Sequence, residues 1–253
     1  MKNDAKRELS GKTALITGAS KGLGKAMALS LAEAGAHIAL VSRDAEKLGE
    51  VKREIEQAGG NAEVFTADVS DEQSVNRLQS ELADKKVQIL INNAGINIRK
   101  QLHEFSLEEW QRVMNTNLTS VFLLCRAFVP AMKGTGYGRI INMTSIMSHV
   151  SLPGRSAYSA SKAALLGLIR ALALELAAEG ITVNGISPGP FGTEMNTAVM
   201  QNPEVNAQFL ASIPLGRWGK VEEIGSLARY LCSEAAGFIT GTDIVIDGGW
   251  LAR

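Results

Sequence analysis

Tyr158 and Lys162 stand four residues apart in the run Tyr158-Ser-Ala-Ser-Lys162. Within a helix that spacing puts both side chains on one face, so a phenol and an ammonium become neighbours. A free tyrosine titrates near pH ~10 and is a poor base at neutrality. A fixed cation beside it favours the phenolate, and a drop of three units would represent roughly 4 kcal/mol of differential stabilisation. The expectation is a tyrosine whose pKa is lowered toward working pH, where proton transfer is efficient. Ser145 lies thirteen residues before Tyr158, just past a short apolar run at 139–143. Its hydroxyl can donate to a substrate oxygen on which negative charge develops. These three residues predict proton transfer to or from a carbonyl or alcohol oxygen.

A second constellation lies near the start of the chain. The apolar run 13–16 enters Thr17-Gly18-Ala19-Ser20-Lys21-Gly22-Leu23-Gly24 and continues into helical periodicity. Glycines at this point let the backbone turn sharply and approach a pyrophosphate. The helix N-terminus adds unpaired N–H groups and the positive end of a dipole. Gly18, Ser20, Lys21, Gly22, Leu23 and Gly24 are therefore candidate dinucleotide contacts. The spacing is G-x-x-x-G-x-G rather than the commoner G-x-G-x-x-G. At the end of the next apolar run stand Ser42 and Arg43, where many dinucleotide folds place an acidic residue for the ribose hydroxyls. With Lys21 in the loop, two cations near the 2′ position favour NADP(H) over NAD(H). The alternative is a solvated Arg43 with Asp44 capping the following helix.

Positioning these groups needs a frame, and the pattern supplies one. Short, mostly apolar runs at 13–16, 37–41, 63–66, 88–91, 139–143, 182–186 and 243–246 read as strands covered on both faces. Helical patterns at 23–34, 45–58, 73–83, 107–132, 157–179 and 221–231 alternate with them. Ser106 followed by Glu109 fits a capping box, and Gly35 and Gly180 follow helices. The expectation is an α/β fold: a single Rossmann-like doubly wound domain over 1–253, with a seven-stranded parallel sheet flanked by helices. Residues 188–211 lack strong periodicity and fall near the carboxyl edge of the sheet, where they read as a candidate substrate lid or an ordinary surface excursion.

Taken together, Thr17-Gly-Ala-Ser-Lys-Gly-Leu-Gly24, Asn92-Asn93-Ala94-Gly95, Ser145, Tyr158-x-x-x-Lys162 and Pro188-Gly189 resemble the short-chain dehydrogenase/reductase family, collinearly over essentially the whole chain. The resemblance implies hydride transfer between a nicotinamide dinucleotide and a carbonyl or secondary alcohol. It implies a catalytic set of Ser145, Tyr158 and Lys162 completed by Asn117, which holds a water linking Lys162 to solvent. It also implies Asp68 and Val69 beside the adenine, and Asn93, Ala94, Gly95, Pro188 and Gly189 along the cofactor. Thr193 would stand at the carboxamide, and Tyr158 and Lys162 would also touch the cofactor. A non-catalytic dinucleotide sensor on the same fold is the reading from another class, and the intact acid/base set argues against it. Gly95-Ile-Asn-Ile-Arg99, Glu104-Phe105, Glu109-Trp110 and Arg217-Trp218-Gly219 are similar to gluconate 5-dehydrogenases. Arg99 would then hold a sugar-acid carboxylate, beside Ser145 and Tyr158 at the reacting oxygen, unless it is a surface arginine. A 3-oxoacyl-carrier-protein reductase is the alternative within the enzyme reading.

Bulk composition narrows the partners. Lys+Arg and Asp+Glu both number 26, giving no excess positive charge for a nucleic acid or membrane surface. Cys125 and Cys232 lie far apart in apolar stretches and form no metal framework, and no metal is expected. Nor do His37, His103 and His149 have ligand spacing. The N-terminal segment carries no apolar signal core, no run reads as a membrane span, and a cytoplasmic address is the expectation. The partners expected are a small-molecule substrate and further copies of the chain. Helix 157–179 is apolar nearly all round, through Ala163, Leu165, Leu166, Leu168, Ile169, Leu172, Leu174 and Leu176. Helix 107–132 adds Val121, Phe122, Leu123, Leu124 and Phe128. One sheet cannot cover both excesses, so a homotetramer is expected. By the resemblance, its second contact would run through 243–246 and 250–253.

Overall fold

A computed structural model describes residues 7–252. Seven strands form one parallel sheet: β1 Thr13–Thr17, β2 His37–Ser42, β3 Asn61–Thr66, β4 Val87–Asn92, β5 Gly138–Met143, β6 Ile181–Pro188 and β7 Asp243–Ile246. Their order is β3-β2-β1-β4-β5-β6-β7, all parallel. Chain order reverses between β1 and β4, so a crevice opens there beyond the carboxyl ends of the strands. All seven expected strands are present, extended by a residue or two at most ends. The extensions are backbone pairing that side-chain pattern alone does not mark.

The helices are α1 Gly22–Glu33, α2 Ala45–Gln57, α3 Glu72–Glu81, α4 Leu107–Met114, α5 Ser120–Met132, α6 Ser156–Leu176, α7 Thr197–Met200, α8 Pro203–Ala211 and α9 Val221–Cys232. Alternating strand residues feed two core layers. Ala14, Ile16, Ile38 and Leu40 join the layer under α1 and α9, while Leu15, Ala39 and Val41 join the one under α3, α5 and α6. Local chemistry sets the helix starts. Asp44 and Asp71 cap α2 and α3, and Ser106 with Glu109 forms the expected capping box on α4. Gly35 and Gly180 both take positive φ where their helices end. Among the described residues, no helix is long and apolar enough to cross a membrane.

Three expectations change. The helix expected at 107–132 is broken by a π-helical segment, Asn115–Thr119, between α4 and α5. Residues 188–211 are not structureless: α7 and α8 fold there, and Phe209 stacks on Trp218 with ring centroids 4.9 Å apart. The apolar excess also divides differently. On α5, Val121, Leu123, Leu124 and Phe128 are buried within the chain and Phe122 is exposed. On α6, Leu165, Ile169 and Leu176 face the sheet and Leu174 is exposed. Cys125 and Cys232 are buried free thiols, each pushed up to about 12 by burial.

Candidate active site

The turn from β1 into α1 is built for close approach. Gly18 and Gly22 take φ of +63° and +54°, a region that favours glycine. A Cβ added to Gly24 would overlap the Gly18 carbonyl oxygen. The turn is held by the start of the loop after β4: the Asn93 amide donates to the carbonyls of Thr17 and Gly18 at 2.9 and 3.1 Å. Thr17 Oγ accepts from the N–H groups of Asn93 and Ala94 at 3.0 and 3.1 Å. Asn93, expected beside a cofactor, thus shapes the loop itself, and Thr17 is a supporting residue that the pattern did not reveal. Such a cradle fits a pyrophosphate, with Gly22, Leu23 and Gly24 opening α1 beneath it.

Around this cradle lie the other expected dinucleotide contacts. Thr193 reaches over Gly22, since a Cβ there would meet its methyl at 3.7 Å. Lys21 pairs with Glu194 at 3.1 Å, on the same segment. Ser42 ends β2 and accepts from the Asp44 N–H at 3.1 Å. Asp44 itself caps α2 and pairs with Lys47. Arg43 is largely exposed, with Asp68 3.7 Å away. Burial opposes the Asp68 charge, but hydrogen bonds from Ser70 and the Arg43 charge outweigh it and hold the carboxyl below its usual range. Val69 follows, buried in the core. Gly189 is fixed by its N–H on Ile246 at 2.9 Å, which places Pro188 at the end of β6.

Beyond the ends of β4 and β5, Ser145, Tyr158, Lys162 and Asn117 come together. Ser145 is buried just past β5, in extended conformation, and Tyr158 and Lys162 lie in the first two turns of α6. The Lys162 ammonium donates to the Met143 carbonyl at 2.5 Å and lies 5.9 Å from the Tyr158 ring centroid. Asn117 sits in the π-helical segment. There its amide donates to Ile96 O at 2.9 Å and Ser161 Oγ at 3.0 Å, and its Oδ1 accepts from Ile96 N at 2.8 Å. Both side-chain donors are therefore committed to protein, and one lone pair of Oδ1 is left for a water. Oδ1 and the Lys162 ammonium both lie over Gly95, at 3.3 and 3.6 Å from where its Cβ would be. A side chain at Gly95 would crowd both groups, and Asn117 reaches that loop from the π-helical segment.

The electrostatics differ from expectation. Burial pushes the Tyr158 phenol above its ordinary value, opposed by a hydrogen bond with Ser145 and by the charge of Arg155. Lys162, fully enclosed, is pushed down to about 8 by burial. In this site desolvation outweighs the cation expected to lower the tyrosine, because the ammonium is aimed at a backbone carbonyl rather than at the phenol.

Arg155, just before α6, escaped the sequence reading. The loop after β4 is sewn to the loop before α6 by the Lys100 N–H on the Gly154 carbonyl at 3.3 Å, so Arg99 and Arg155 are adjacent. Burial, and then the like charge of Arg99, holds the Arg155 guanidinium below its ordinary value, while Tyr158 acts the other way. Among the described residues, neither arginine has a carboxylate partner. By contrast, Arg217 is locked to Glu223 at 2.6 Å, and Glu109 to Lys100 at 2.5 Å. Among the described residues, no cluster able to hold a metal ion occurs.

A family model described as enoyl-(acyl carrier protein) reductase matches residues 18–251. The chain is 39% identical to a 2-dehydro-3-deoxy-D-gluconate 5-dehydrogenase of Bacillus subtilis, over 97% of this chain and 96% of that protein. It is 38% identical to a 3-oxoacyl-[acyl-carrier-protein] reductase of Synechocystis, covering 95% and 97%. A gluconate 5-dehydrogenase of Burkholderia cenocepacia, solved with NADP and tartrate, superimposes with a TM-score of 0.91 at 34% identity, over 98% of each chain.

Proposed function

From the premise that the chain belongs to the short-chain dehydrogenase/reductase family, we propose that this oxidoreductase acts on a sugar acid of the gluconate class, held at its carboxylate by Arg99 and Arg155. The observation that carries the proposal is the pair of neighbouring arginines, Arg155 close to Tyr158 and Arg99 close to Arg155, with no carboxylate of their own. Two like charges placed together, one of them half-buried, are destabilising unless an anion completes them, and guanidinium binds carboxylate in a bidentate fork. The relatives named for gluconate and dehydrodeoxygluconate support that class.

Ser145, Tyr158, Lys162 and Asn117 form the catalytic set of this reading. Ser145 donates a hydrogen bond to the substrate oxygen and orients it toward Tyr158. In the reductive direction Tyr158 gives its phenolic proton to that oxygen; in the oxidative direction it takes the proton back. Lys162, held by the Met143 carbonyl, keeps a positive charge beside the phenol, and Asn117 fixes the loop that closes over it. The nicotinamide cofactor, when bound, supplies or accepts the hydride at the substrate carbon. It would be held by the cradle of Gly18, Ser20, Lys21, Gly22, Leu23 and Gly24, with Asp68, Val69, Asn93, Ala94, Gly95, Pro188, Gly189 and Thr193 along its length. NADP(H) is favoured over NAD(H): the end of β2 offers Ser42 and an exposed Arg43, while Asp44 is occupied in capping α2. Residues 188–211 are the proposed lid.

Assembly as a homotetramer belongs to the same reading. An apolar groove between α5 and α6, lined by Phe122, Val129, Leu168 and Leu172 among others, lies on the outside of the chain. The second contact would use β7, where Val245 is exposed, and the C-terminal turn; Arg253 lies outside the described residues.

The test is a side-by-side screen of gluconate and its keto forms, a neutral ketone and acetoacetyl thioesters with both cofactors. Arg155→Ala and Arg99→Ala should each raise KM for the sugar acid at least tenfold and leave a neutral ketone within twofold. Thioester reduction with no sugar-acid activity would overturn the substrate class in favour of the acyl-carrier reading.

A further inference from the structure

We propose that Asp243 and His149 are positioning residues, a clamp that sets Ser145 by tying together the ends of β5, β6 and β7. Asp243 opens β7, and its carboxylate is almost enclosed, 9% exposed. One oxygen accepts from Thr144 Oγ at 2.5 Å; the other accepts from Ser187 Oγ at 2.6 Å and from His149 Nε2 at 2.7 Å. The Thr144 and Ser187 hydroxyl oxygens stand 2.9 Å apart, each turning its one proton to the carboxylate. Three side chains, from two strand ends and one turn, thus converge on a single carboxylate at the start of β7 and meet it with hydrogen bonds.

The clamp's placement gives it a function. Thr144 immediately precedes Ser145, and His149 ends the turn that Ser145 begins. The backbone of that turn is held by the Ser148 N–H on Ser145 O at 2.8 Å and the His149 N–H on Ile146 O at 3.0 Å. Ser145 is therefore gripped on both sides: one step upstream through Thr144, and four residues downstream through His149. Ser187 likewise precedes Pro188, so the same carboxylate fixes the strand end expected along the cofactor. The neighbouring strand makes room for it. A Cβ at Gly185 would overlap Asp243 Oδ1, so glycine there and aspartate on β7 form a matched pair. With a hydroxyl that must meet a reacting oxygen within a few tenths of an ångström, a small displacement of this turn costs rate before it costs folding.

The inference rests on Ser145 being catalytic, so the experiment is a double-mutant cycle that separates the two ideas. Ser145→Ala, His149→Ala and Asp243→Asn are made singly, and each clamp variant is combined with Ser145→Ala. Turnover, cofactor dissociation constant and Tm are measured for all. The clamp predicts that His149→Ala and Asp243→Asn each lower kcat at least tenfold, yet lower it by less than twofold once Ser145 is gone. His149→Gln, which keeps a side-chain N–H donor, should recover at least half of the wild-type kcat. Losses that multiply in the double variants, or equal losses for His149→Ala and His149→Gln, would overturn the clamp and leave only a structural network. Ser145→Ala with near wild-type kcat would instead overturn the reading of the site. If Asp243→Asn fails to fold, the His149 arm of the cycle decides alone.

Discussion

Lys162 carries a destabilising charge whose size can be read from its surroundings and tested by titration. Burial pushes its ammonium from the ordinary 10.5 down to about 8. At ~1.4 kcal/mol per unit, that shift means the folded chain spends about 3 kcal/mol holding the charge. The sign follows from proton counting. Between pH 8 and 10.5 the unfolded chain keeps the lysine proton and the folded chain releases it, so the unfolded state binds more protons and stability rises with pH. Below about pH 8 both states are protonated and the full penalty is present. Lys162→Met replaces the chain with an uncharged one of similar length and removes the dependence. The assay is urea unfolding of cofactor-free wild type and variant, followed by tryptophan fluorescence from pH 7 to 10.5 at one protein concentration. Subtracting the two curves cancels every titrating group that does not interact with Lys162. Wild type should gain about 3 kcal/mol on the variant across that window, with the rise beginning near pH 8. Curves that stay parallel within about 0.5 kcal/mol would refute the claim that desolvation controls this lysine.

Other outcomes follow from the same structure. On the proposed acid/base reading, Tyr158→Phe should lower turnover at least a hundredfold, with cofactor affinity by fluorescence titration nearly unchanged, because the ring still packs and only the proposed proton carrier is lost. Retention of a tenth of the activity would remove Tyr158 from the acid/base role. On the proposed NADP(H) reading, in which Arg43 pairs with the 2′-phosphate, Arg43→Asp should weaken NADP(H) at least tenfold and NAD(H) little; equal effects on both cofactors would count against it. Light scattering at micromolar concentration should give a mass four times the 27.0 kDa chain, and a single species at the chain mass would sink the tetramer.

The fold was legible in the sequence because its signal is local and repeated. Seven short apolar runs separated by helical periodicity admit few arrangements other than a doubly wound parallel sheet, and the structure has all seven in one sheet. The Tyr158/Lys162 spacing and the glycines of the first turn were equally readable, since helix pitch and positive φ are properties of neighbouring residues. What the sequence could not show were groups joined across strands. Arg155 lies beside Arg99 because the loop before α6 hydrogen-bonds to the loop after β4, residues more than fifty positions apart. His149, which had no ligand spacing, met Asp243 94 residues away. The π segment at Asn115–Thr119 also went unseen, because one residue of extra turn leaves apolar periodicity almost unchanged. Tyr158 gave the sharpest reversal. Spacing placed a cation beside it, but only burial and the direction of the ammonium decide whether that cation or desolvation controls the phenol, and both depend on atoms brought together from β5, α6 and the loop after β4.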